Sequence, residues 1–205
     1  MHIIVVRHYK TEKNVSNKII GWGNSPPAKG WRKDIDYIEQ VFRQKKFQFA
    51  AIYSSALERA KMTSLHYEKA MGYQKGIFQH THDLNEIDYG DCSNKDKSWV
   101  ENNIPQHKTD PNFVYPGGES FRQMQRRSVD FVKRTAQGHE DQTVLVVVHA
   151  GVIRGLVCHF LQLPYQHYLK TRTSHSYIGD FEFEAGVFTR YREHGKPSGF
   201  VASLK

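Results

Sequence analysis

The chain has 205 residues, 39% hydrophobic and 13% aromatic, with 15 glycines, 7 prolines and a formal net charge of +8. That composition excludes the disordered and fibrous classes, and the length suffices to bury a core without disulfides or metal. The basic residues are scattered rather than gathered into an arm, so the charge points to a small anionic substrate in preference to nucleic acid.

In chain order, the first predicted element is the apolar run at 3–6, which ends abruptly in Arg7-His8. It reads as a central strand of a parallel sheet and is far too short for a signal peptide or membrane span. No later run is long enough either, so no membrane association is expected; with only two cysteines, far apart in sequence, there is no disulfide framework and a reducing cytoplasm is the expected location. After Gly30, the spacing of Trp31, Ile35, Ile38 and Phe42 predicts an amphipathic helix. A second strand at 50–53 gives way to Ser54-Ser55. Leu57, Ala60, Ser64, Tyr67 and Met71 then predict a helix closed by Gly72.

His80-Thr81-His82-Asp83 reads as a polar strand. Two histidines two residues apart could share a face as ligands, but no third ligand supports a metal site. Residues 88–115 are polar, dotted with aromatics and broken by Pro105 and Pro111, the pattern of a lid-like insertion within one domain spanning 1–205. A helix follows at about 119–136, then an aliphatic strand at 144–148 ending in His149, and a helix at about 152–161. Alternation at 177–184 and 187–192 around Ala185-Gly186 predicts a terminal hairpin. Strands and helices in alternation predict a three-layer α/β/α sandwich around a mostly parallel sheet.

Three apolar strands thus end in Arg7-His8, Ser54-Ser55 and His149, with Arg59 one helical turn beyond the second. In open α/β sheets ligands bind beyond the carboxyl ends of the strands. Two imidazoles and two forked guanidiniums gathered there suit a tetrahedral dianion such as phosphate better than a cation. Cys92 and Cys158 lie far apart, with neither zinc-ligand spacing nor an arginine six positions on. Cys158 reads as a helix core residue, Asp34-Ile35-Asp36 falls inside a helical pattern, and no Gly-Lys-Ser/Thr loop occurs. His66, His139 and His175 read as surface or core-edge residues.

The segment Arg7-His8-Tyr9-Lys10-Thr11-Glu12-Lys13-Asn14 resembles the Arg-His-Gly-x-Thr-x-x-Asn signature of the histidine phosphatase superfamily, which includes phosphoglycerate mutases and fructose-2,6-bisphosphatase. Ser54-Ser55-Ala56-Leu57-Glu58-Arg59-Ala60, Leu84-Asn85-Glu86, Pro116-Gly117-Gly118-Glu119-Ser120 and His149-Ala150-Gly151-Val152-Ile153-Arg154 resemble its later motifs in the family order. The resemblance implies a phosphoglycerate mutase-like fold with no metal and no cofactor. It implies that His8 attacks phosphorus, that Arg7, Arg59 and His149 hold the equatorial oxygens with Asn14 as a neutral donor, and that Glu86 is the general acid and base. Thr11 and Ser55 would orient the loop or phosphate. Tyr9, Trp22, Tyr89 and Glu119 are further expected substrate contacts.

Tyr9 stands where the family usually has glycine, which leaves two readings: a strained loop, or an aromatic wall of the pocket. Leu84-Asn85-Glu86-Ile87-Asp88 lacks the arginine that mutases carry after the acid. That departure favours hydrolysis of a small phosphorylated metabolite or sugar phosphate. A mutase-type phosphotransferase and a non-catalytic phospholigand-binding protein are the alternatives. The sequence assigns no oligomeric state.

Overall fold

The computed structural model describes residues 1–73 and 76–195. Strand β1 (His2–Arg7) leads through the short helix α1 (Glu12–Val15) to α2 (Arg32–Gln44), β2 (Ala51–Ser55) and α3 (Glu58–Ala70). After β3 (Phe78–Thr81), the segment at 88–115 contributes α4 (Lys97–Asn103) between two 3-10 turns. Helix α5 (Phe121–Gly138), β4 (Thr143–Val148), α6 (Ala150–Phe160) and α7 (Tyr165–Lys170) follow. The hairpin of β5 (Ile178–Glu184) and β6 (Val187–His194) completes the order.

The six strands form one sheet in the order β3-β2-β4-β1-β5-β6. β3, β2, β4 and β1 run parallel, whereas β5 and β6 add antiparallel. Central strands are covered on both faces, which is why they read as continuous apolar runs. Ile3 and Val5 of β1 face a core shared with Met124, Val132, Ile153 and Val157 of α5 and α6. Ile4 and Val6 point the other way, onto Ile35, Ile38 and Phe42 of α2 and Tyr67 of α3. This alternation fixes the three layers, because shifting β1 by one residue would exchange the partners of every side chain.

The predicted elements appear with small shifts at their ends. The helix expected at about 152–161 begins at Ala150, with His149 as its N-cap. The polar strand expected through Asp83 stops at Thr81, and His82 opens a 3-10 turn to Leu84. Cys158 is a buried core residue of α6. Among the described residues no helix is long and apolar enough to cross a membrane, and no group of three metal-ligating side chains converges.

Candidate active site

Pairing register brings the ends of the three strands together. Arg7 is level with Val148 and Ser54 with Val147, so β1, β4 and β2 deliver Arg7-His8, His149 and Ser55 to one edge of the sheet. His8, Arg59 and His149 are all nearly inaccessible, and the rings of His8 and His149 lie 5.0 Å apart.

The His8 ring is oriented by its own loop. Nδ1 sits 2.5 Å from the carbonyl oxygen of Tyr9; since a carbonyl can only accept, Nδ1 carries the proton and Nε2 keeps its lone pair. Burial pushes the His8 pKa well below its ordinary value, helped by the charges of Arg59, His149 and Arg7, so the ring is neutral near pH 7. Burial likewise lowers His149 far below the usual imidazole range, with Arg59 and Arg7 adding to it. Arg7 and Arg59 are each lowered to about 10, by burial first, with Glu86 as the largest opposing charge on both.

Part of this set of nitrogens is unsatisfied by the protein. Arg7 Nε, Arg59 Nε and both ring nitrogens of His149 are buried without a hydrogen-bond partner in the described chain. The remaining guanidinium contacts anchor loops: Arg7 donates to Thr173 O at 2.5 Å, and Arg59 donates to Gly23 O and Gly21 O at 2.9 and 2.7 Å. Buried donors left unpaired, here the two arginine N–H groups and the single N–H of neutral His149, cost free energy on the order of 1–3 kcal/mol each, and an anion among them would remove that cost.

Glu86 reaches this cluster from the loop after the 3-10 turn. Its Oε2 accepts the N–H of Gly151 in the first turn of α6 at 3.1 Å, and Oε1 accepts that of Ile87 at 3.0 Å. The loop is pinned by Arg127, which donates to the carbonyls of His82, Asp83, Asn85 and Glu86. Arg127 is held in turn by a fork to Glu119. A positive φ of 48° at Gly90 lets the chain pass against Pro116, whose carbonyl oxygen would stand 2.0 Å from any Cβ there.

Several expected substrate contacts have other partners. Glu119 is engaged by Arg127 and by the Asp88 N–H, so it supports the acid loop. Ser55 donates to Asn85 Oδ1 at 2.9 Å, again bracing that loop. Thr11 is the N-cap of α1 and forms a capping box with Asn14. Because Asn14 Oδ1 is taken by Thr11, its amide hydrogens remain for the cavity that Asn14 lines. Trp22 donates from Nε1 to Glu86 O at 2.7 Å and clamps the acid loop from outside.

Tyr9 corrects both readings of its position. It is absent from the residues of positive φ, and its side chain is buried in the apolar cluster with Ile4 and Val6, its ring 5.1 Å from Trp31. It is neither strained glycine replacement nor pocket wall. Tyr89 does line the cavity, packed edge-on against Tyr115 at 4.8 Å.

That cavity, of about 650 Å³, opens beside Arg7, Asn14 and Ala150 and is walled by the 88–115 segment through Tyr89, Lys97 and Tyr115. Lys10, Lys97 and Arg172 also line it. His175 corrects its surface or core-edge assignment: it is 9% exposed, lines the same cavity and lies against His8. No local motif announces it, because it arrives from the strand entry of β5, a neighbour of β1 only in the folded sheet.

Comparison with known proteins agrees with this geometry. The chain matches the family model for the histidine phosphatase superfamily (branch 1) over residues 3–192. It is 31% identical over 163 residues to the 2,3-bisphosphoglycerate-dependent phosphoglycerate mutase of Brucella canis, covering 76% of this chain and 79% of that protein. Among solved structures, YhfR of Bacillus stearothermophilus superposes with a TM-score of 0.78 at 27% identity, covering 92% of this chain and 94% of that one. A phosphoserine phosphatase variant of Entamoeba histolytica in complex with phosphoserine superposes equally well, with a TM-score of 0.78, at 21% identity over 93% and 95% of the two chains, a likeness of fold. With the ordered motifs and a matching sheet, the chain belongs to the histidine phosphatase superfamily, branch 1.

Proposed function

We propose that the protein is a metal-independent phosphomonoester hydrolase acting through a phosphohistidine at His8 on a small phosphorylated metabolite or sugar phosphate. The observation that carries this reading is the set of buried, unpartnered nitrogens on Arg7, Arg59 and His149 around a neutral His8 whose Nε2 is unprotonated. Preorganised donors of this kind stabilise charge on a transferring phosphoryl group.

In the first step His8 Nε2 forms a bond to phosphorus while the ester oxygen leaves and takes a proton from Glu86. In the second, Glu86 accepts a proton from water, whose oxygen attacks phosphorus and releases His8. The 88–115 segment acts as a lid that shapes the leaving-group side. Lys10, Lys97 and Arg172, which line the cavity, draw in anionic substrates. The phosphoserine phosphatase likeness accords with hydrolysis, while the 31% identity to mutases favours phosphoryl transfer as the second reading.

The test is phosphate release from an aryl phosphate in the presence of chelator. Turnover with an acid-labile phosphoenzyme, both lost in His8→Ala, is the expected result; activity retained by His8→Ala would refute the mechanism. Exchange of phosphate between positions of phosphoglycerate outrunning net release would make the protein a mutase. Binding of phosphate compounds without turnover would make it a binding protein.

A further inference from the structure

Of the three imidazoles that meet at the site, His175 alone has no place in the motifs, and its contacts give it a task. Its ring stands edge-on to that of His8, centroids 5.6 Å apart, and its Nδ1 is 2.9 Å from the carbonyl oxygen of His8. The carbonyl accepts, so Nδ1 is the donor. Burial, followed by the charge of Arg7, pushes the His175 pKa down to about 3, and the neutral ring keeps this single tautomer across the working range of pH.

The nucleophile's backbone is held from three elements. The His8 N–H donates to Val148 O of β4 at 2.9 Å. The next peptide unit, which carries the His8 carbonyl and the Tyr9 N–H, is gripped at both ends: its oxygen by His175 and its N–H by Thr63 Oγ1 of α3 at 3.1 Å. Tyr9 O, the acceptor that sets the tautomer of His8, hangs directly from that unit. A shift of the 8–9 peptide that carried the Tyr9 α-carbon with it would therefore displace the contact that keeps His8 Nδ1 protonated.

We infer that His175 is a positioning residue for the nucleophile, its Nδ1–H clamping the 8–9 peptide so that His8 Nε2 stays unprotonated and aimed at phosphorus. This rests on the reading of His8 as nucleophile. His175 need not touch the substrate to do this. Its clamp is a single N–H at a fixed distance from the backbone, which makes the position of the donor, rather than the imidazole as such, the functional quantity.

Three variants separate this role from mere packing. His175→Asn carries an amide N–H on the atom attached to Cγ, where Nδ1 sits. His175→Gln moves the donor one methylene further out, and His175→Ala removes it. The expected result is a fall in kcat on an aryl phosphate of about 10- to 100-fold in His175→Ala and His175→Gln, the range set by small misalignments of a reacting group. KM and the inhibition constant of inorganic phosphate should change less than about threefold, and His175→Asn should recover most of the loss. Nitrogen NMR of labelled histidine should show the Nδ1–H tautomer of His8 in the parent and in His175→Asn, and a mixture in the other two.

An unaltered His8 tautomer in His175→Ala, or equal kcat losses in all three variants, would overturn the inference. Should the alanine protein fail to fold, the asparagine and glutamine pair decides alone. A parent that shows the tautomer pattern but no turnover would instead defeat the hydrolase reading and leave the clamp standing.

Discussion

The carboxylate of Glu86 rests directly on the backbone of Gly151: Oε2 accepts the Gly151 N–H at 3.1 Å, and a Cβ on residue 151 would stand 2.1 Å from Oε1. No side chain fits between the acid and the first turn of α6. Gly151→Ala should therefore displace Glu86 and reduce kcat by about 100-fold, the lower end of what a positioned acid contributes, while leaving phosphate affinity near that of the parent. Glu86→Gln should slow alkyl phosphates far more than nitrophenyl phosphate, whose leaving group needs no proton. Steady-state kinetics on both substrates checks this, and full activity in Gly151→Ala would remove Glu86 from the proposed role.

Arg127 gathers four carbonyls of the 82–86 segment and a carboxylate into one knot. Arg127→Met takes the shared donor from those carbonyls and leaves Glu119 with the Asp88 N–H but no cation, at an expected cost of about 3 kcal/mol in stability, as for other broken, largely buried pairs. Activity should fall with it because Glu86 hangs from the same loop. Denaturant unfolding and kcat of the same preparation are the measurements; loss of stability with unchanged kcat would show that the knot does not position the acid.

Tyr9→Gly restores the residue usual in the family and removes a buried ring from the cluster around Trp31. The expected outcome is destabilisation of about 3–5 kcal/mol, the range for deleting a large aromatic from a core. Since the hydrogen bonds of Tyr9 at the site come from its backbone and its ring meets His8 only edge-on at 6.2 Å, kcat per folded molecule should change little at a temperature where the variant is folded. A selective change in KM with unchanged stability would return Tyr9 to the pocket wall.

His8 and His149 are held well below the ordinary imidazole pKa and His175 near 3. Around pH 6.5 the unfolded chain begins to bind protons that the folded chain refuses, so stability is greatest above that pH and declines as pH falls toward 3. Between pH 7.5 and 5 carboxylates contribute little, and a decline in melting temperature there reports mainly histidines. Vanadate or phosphate supplies the opposing charge, raises these imidazole pKa values and should flatten the decline. Thermal unfolding at the two pH values with and without vanadate tests both parts; identical curves would deny the coupling of the imidazoles to an anion.

Much of this architecture was legible in the chain because its signals are local. The runs at 3–6 and 144–148 announce strands buried on both faces, and the spacing of Ile35, Ile38 and Phe42 announces a helix lying on them. Arg7, His8 and His149 follow those strands at once, so knowing that β1 and β4 are parallel neighbours already brings them together. Residue type was a poorer guide to contact. Ser55, Thr11 and Glu119 are polar groups in the right motifs, yet each spends its hydrogen bonds on another part of the protein.

The layers, the parallel strands and the identity of the groups at their ends follow from the order of residues alone, since periodicity and strand termini are properties of consecutive residues. It took the folded chain to turn Tyr9 into the core, to set Arg127 and Trp22 against the acid loop, and to bring His175 onto the backbone of His8. Those relations depend on the direction of side chains between residues 22 to 167 positions apart, and no pattern along the chain encodes a direction in space.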